Sequence, residues 1–163
     1  MAKANYRPAL EVKAVADKLI PKYHQHIINN DIRVDYVFID KTPKSKGREI
    51  WGRCRKVSGL GAFLANDQQG SDSFFVIEIS EEIWDVLPSD KREALVDHEL
   101  CHTASEPGEE PKLDVMPHDL EEFVCIVRRH GLWRDDVEAF VNAAREPQSV
   151  TTQEPVDEVL SDE

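Results

Sequence analysis

The sequence predicts an α+β domain, and three observations carry the prediction. Residues 8–29 repeat apolar side chains every three or four positions, Phe74–Ile79 is an unbroken strand-like FFVIEI, and beyond Ser80 the hydrophobic period changes from two to about 3.6. At 163 residues the chain has the length of about one domain. Hydrophobic residues make up 40% and charged residues 32%, the composition of a globular chain on the polar side. No apolar run approaches the roughly 20 residues that a bilayer span needs, so no membrane partner is expected. The opening MAKANYRPALEVKAVADKLI lacks the apolar core of a signal peptide. Cys54, Cys101 and Cys125 are few and odd in number, which points to a reducing, cytoplasmic setting.

Each element follows in order. Val12, Val15, Ala16, Leu19, Tyr23 and Ile27 share one helical face, with a break expected at Pro21. Residues 33–39, RVDYVFI, read as a strand before a Lys-Pro-Lys-Ser-Lys-Gly loop, and strand pieces are expected around 51–57 between Gly52, Gly59 and Gly61. The strand at 74–79 leads into a short helix over 81–86, stopped by Pro88. Ser89 or Asp90 then caps a helix from Lys91 to about Ala104, and the Pro- and Gly-rich 105–117 reads as a loop. A further helix is expected from His118 to His130, ended by Gly131, and a last one over 134–145 with Val137, Phe140 and Val141 inward. Three to four strands form a small sheet. Residues 1–145 constitute the domain, and 146–163, with six acids and no base, read as a disordered acidic tail.

Net charge is −12 but uneven. The tail supplies −6, residues 97–123 supply −8, and residues 41–56 carry +6 from Lys41, Lys44, Lys46, Arg48, Arg53, Arg55 and Lys56 against Glu49. A coat-like nucleic-acid binder is excluded by the total, since phosphate would be repelled over most of the surface. The 41–56 band leaves a weak nucleic-acid contact open, although a solvated hairpin balancing an acidic protein explains it more simply.

The chemistry concentrates at Asp97-His98-Glu99-Leu100-Cys101-His102. Two histidines four residues apart on a helix sit about 40° apart around its axis, so His98 and His102 can share one zinc ion. Glu99 points to the adjacent side, where it can take a proton from a zinc-bound water as general base without ligating the metal. A catalytic zinc takes three protein ligands. His118, sixteen residues after His102, is the simplest third ligand, with Glu122 and Glu121 as alternatives or as partners that orient the ligand imidazoles. An ordinary helix with two surface histidines is the competing explanation. The apolar anchors Leu95, Val96 and Leu100 and the preceding strong strand count against it.

VDHELCH, followed by HDLEEF and VRRHGLW and preceded by WGRCRKVSGLGAFLA, resembles the putative phage metallopeptidase family over roughly residues 8–134. His118 with Phe123 is also similar to SprT-like zinc peptidases, whose third ligand is that histidine; here the phenylalanine stands one position later. The resemblance implies a zincin-like fold, with an active-site helix and a following helix carrying the third ligand. It also implies a zinc-dependent peptidase of phage or prophage origin, acting on peptide or protein substrates in the cytoplasm of a bacterial host. The alternatives are a catalytically silent, zinc-stabilised protein that binds a host or phage partner, and a DNA-associated protease. Elsewhere Cys101 and Cys125 are expected in the core, Cys54 as an exposed thiol, and His24 and His26 as exposed helix-end residues. Trp51, Trp84 and Trp133 are expected to serve in packing, with Trp51 also able to line a cleft.

Overall fold

A computed structural model describes residues 3–70, 72–106 and 112–147. The chain runs β1 (Tyr6–Pro8), α1 (Leu10–Tyr23), α2 (Gln25–Asn29), β2 (Val34–Ile39), β3 (Lys44–Ser45), β4 (Arg48–Glu49), β5 (Gly52–Val57), α3 (Gly59–Ala65) and β6 (Phe74–Ser80). It continues through α4 (Glu81–Val86), α5 (Ser89–Cys101), β7 (Thr103–Glu106), β8 (Lys112–Val115), α6 (Val124–His130) and α7 (Asp135–Arg145). The fold is α+β, as the periodicities predict. Two compact units divide it, one up to Pro117 and one from His118 on.

The first unit is built on a four-stranded sheet in the order β1-β2-β6-β5, with β2 and β6 parallel and the two outer pairs antiparallel. Strand alternation sets its faces. Phe75, Ile77 and Ile79 of β6 and Tyr36 and Phe38 of β2 point into one core with Val12, Ala16 and Leu19 of α1 and Val96 and Leu100 of α5. Phe38, Phe75, Ile77, Ile79, Val96 and Leu100 are fully shielded from water, each worth about 2 kcal/mol of burial. On β5 the register opposes Gly52 to Ile79 and Cys54 to Ile77, so these two residues lie on the helix-covered face. Arg53, opposite Glu78, lies on the other face with Arg55.

Several boundaries move. The helical break falls at His24, leaving Pro21 inside the last turn of α1, where its missing N–H removes only one ladder bond. Residues 59–65 are helical: the glycines that suggested strand punctuation instead open a one-sided helix burying Ala62. Helix α5 ends at Cys101 because Thr103–Glu106 pair with Lys112–Val115 in a hairpin, within a stretch expected to be a loop. The Thr103 hydroxyl donates to the Leu100 carbonyl at 2.7 Å and closes the helix end.

In the second unit α6 starts at Val124, six residues after the expected start, so His118, Glu121 and Glu122 lie on irregular chain and share no helical face. Local side-chain bonding competes with the helix there. Glu122 Oε1 accepts from the Phe123 N–H at 2.7 Å and Oε2 from Trp133 Nε1 at 3.1 Å. Gly131 ends α6 at φ 68°, as expected of a C-terminal glycine. Val137 is buried in α7, but Phe140, expected inward, is 57% exposed. The acidic tail from residue 148 onward lies outside the described residues.

Candidate metal centre

Helix α5 distributes its motif over four directions, and the core sets its roll. Val96 and Leu100 point into the core. At about 100° per residue, His98 and His102 then project from the side opposite Val96 and Leu100, Glu99 from one flank and Asp97 with Cys101 from the other. The His98 and His102 rings stand 5.1 Å apart at 82°, and they offer ligand nitrogens within 4.8 Å of one another.

A second element orients the His102 ring. The β7–β8 hairpin returns the chain to the end of α5, where Met116 N–H donates to the His102 carbonyl at 2.8 Å. His102 Nδ1 donates to the Met116 carbonyl at 2.6 Å, which fixes the orientation of the ring. This donor set fits a borderline-soft divalent ion, and the hydrogen-bonded second nitrogen is the usual support of a ligating imidazole.

Glu99 faces β5 and is only 3% exposed. Burial pushes its carboxyl up to about 7, against downward pulls from His102, the Cys54 backbone N–H and Arg53. The space it occupies exists because position 52 carries no side chain: a Cβ there would lie 2.4 Å from Glu99 Oε1. Gly52 is therefore a site residue that the motif reading missed. Its signal was a glycine inside a strand, which marks close approach of another group.

Other expectations are corrected by burial. His24 is 4% exposed, with Nε2 2.6 Å from Asp97 Oδ1, and His26 is half-buried against the Thr103 hydroxyl at 2.9 Å. Both face the C-terminal part of α5 and its extension, so neither is a bare helix-end residue. Cys54 packs against the core instead of lying exposed, and burial, then the nearby Glu99 charge, pushes its thiol up to about 12. Cys101 and Cys125 are exposed instead of packed in the core. Trp84 is buried, whereas Trp51 and Trp133 are about half exposed.

The basic band is partly tied down. Arg53 and Arg55 approach the buried Glu78 at 3.9 and 3.6 Å, Lys44 approaches Glu49 at 3.8 Å across the β3–β4 hairpin, and Lys56 donates to the Leu113 carbonyl. Among the described residues no helix is long and apolar enough to cross a membrane.

With a buried carboxylate beside a histidine pair, the site has the components of metal-assisted hydrolysis. A family model described as putative phage metallopeptidase matches residues 4–145. The chain belongs to this family. Membership in a metallopeptidase family implies a metal ion and peptide or protein substrates. No curated protein and no solved structure matches the chain significantly.

Proposed function

We propose that the chain is a zinc-dependent peptidase of phage or prophage origin, with its peptidase domain over residues 1–145, working in the cytoplasm of the host cell. His98, His102 and His118 hold the ion, and Glu99 is the general base. The observation that carries this reading is Glu99 itself, a carboxylate buried on the flank of the histidine pair and fitted against the bare Gly52. Bound zinc supplies a Lewis acid that polarises the scissile carbonyl and acidifies water.

The protein's own groups do the rest. From the flank of the histidine pair, the Glu99 carboxylate can accept the proton of the attacking water and return it to the leaving amine. Gly52 keeps that carboxyl in place, and the Cys54 backbone N–H steadies its charged form. One residue, Pro117, separates His118 from Met116, whose backbone is tied to His102, so their Cα atoms lie at most about 7 Å apart. This short tether supports His118 as third ligand. Glu122 is less suited, because both of its oxygens already accept hydrogen bonds, and nothing favours Glu121.

The test is metal content and hydrolysis together. Purified chain should carry zinc, and Glu99→Gln should keep the metal while losing peptidase activity by roughly a thousandfold or more, the scale of losing an essential proton-transfer group. Wild-type chain that neither retains nor takes up zinc would overturn the reading. Undiminished hydrolysis by Glu99→Gln would remove Glu99 from its role.

A further inference from the structure

We propose that His24, Asp97 and Cys101 form a second metal site, taking a thiophilic divalent ion of the zinc class, on the flank of α5 that faces the α1–α2 junction. Each of the three offers one ligand atom, and these atoms lie within 4.8 Å of one another. His24 comes from the break between α1 and α2, while Asp97 and Cys101 stand four apart on α5 and share one side of that helix. This side is turned about 100° from the His98 and His102 face, so the two donor sets are distinct even though they interleave in sequence.

The donors suit the ion. A neutral imidazole, a carboxylate and a thiolate together favour zinc-like ions over calcium or magnesium, which prefer oxygen ligands alone. With ligand bonds of about 2.0–2.3 Å, tetrahedral ligand atoms lie about 3.3–3.8 Å apart. Small rotations of Asp97 and Cys101 reach that spacing, because neither side chain is buried, whereas His24 is held at 5% side-chain exposure. An ion entering the cluster takes the place of the proton between His24 Nε2 and Asp97 Oδ1, which lie 2.6 Å apart; the neutral imidazole then carries its proton on Nδ1, and the Cys101 thiol proton is released to solvent. The exposed Cys101 side leaves room for a water as fourth ligand. Once bound, the ion clamps the end of α1 to the helix that carries the histidine pair, adding a coordination tie to the apolar packing of α1 on α5.

The experiment is titration of the metal-stripped full chain with cobalt(II) alone, read by bound metal per chain and by the sulfur-to-cobalt charge-transfer absorption. The expected result is two equivalents, one of them with the thiolate band. Cys101→Ser should abolish the band and leave one equivalent tightly bound. His98→Ala with His102→Ala should lose an equivalent and keep the band. If that pair of changes lowers the far-ultraviolet helical signal, His98→Ala alone, at an exposed position, replaces it.

No thiolate band in wild type, a band that survives Cys101→Ser, or a band that vanishes with the histidine substitutions in folded protein would each overturn the proposal. A single equivalent in wild type, with metal content and band both unchanged by the His98 and His102 substitutions, would uphold this proposal and remove the metal from the proposed peptidase centre.

Discussion

The two compact units hold their parts of the motif by different means. In the first, Val96 and Leu100 are fully buried against Phe75, Ile77 and the α1 face, so the directions of His98, His102 and Glu99 are consequences of core packing. In the second, Val137 is the buried hydrophobic among the described residues, while Phe123, Val124, Trp133 and Phe140 are more than half exposed. The contrast teaches that a histidine pair can be positioned by a core, whereas His118 sits on irregular chain with no helix to aim it.

The largest expected effect tests that contrast directly. Leu100→Ala removes a fully buried side chain and should cost about 2–5 kcal/mol, whereas Phe140→Ala should stay within about 0.5 kcal/mol, both read by denaturant unfolding. Equal costs would erase the distinction between the units.

Glu99 sharpens it through pH. Its folded carboxyl sits at about 7, above the ordinary 4.5, so the metal-free folded chain keeps a proton that the unfolded chain has released. The stability this group contributes is complete below pH about 4.5 and is lost as pH rises through about 7. Metal-free Glu99→Gln should therefore match wild type at pH 4 and exceed it at pH 8, by an amount on the order of 3 kcal/mol. Parallel pH curves for the two proteins would contradict the burial account.

Gly52→Ala comes next. The added Cβ displaces the Glu99 carboxyl, and activity should fall by about a hundredfold with a stability loss of only about 1–3 kcal/mol. An unchanged rate would mean that Glu99 does not depend on the shape of β5. Smallest is a chemical contrast between thiols: at pH 8 native chain should be alkylated at the exposed Cys125 and spared at Cys54, whose thiol is pushed up to about 12. Labelling of Cys54 before unfolding, read by peptide mass, would argue against its packing.

Local pattern made much of this legible. The short helix α4 lies where a period of 3.6 between Ser80 and Pro88 placed it, and the β6 strand extends the predicted run by one residue. Prediction erred where a local signal had two outcomes. Glycines at 59 and 61 read as strand punctuation but serve in a helix, and the prolines of 105–117 hid a hairpin whose strands are four residues each. Histidines 24 and 26 read as solvated because they stand at a helix end; their partners are Asp97 of α5 and Thr103 of β7, more than 70 residues away in sequence.

What the sequence by itself determined is the content of α5: helix geometry places residues four apart on one side whatever surrounds them, so the pairing of His98 with His102 and the offset of Glu99 follow from order alone. Tertiary structure alone decided that Glu99 is buried beside a side-chain-free Gly52, that His102 is oriented by Met116, and that His24 meets Asp97. Those relations join residues distant along the chain. They exist only once the apolar faces of α1, α5 and β6 have excluded water together and so set where the polar flanks must fall.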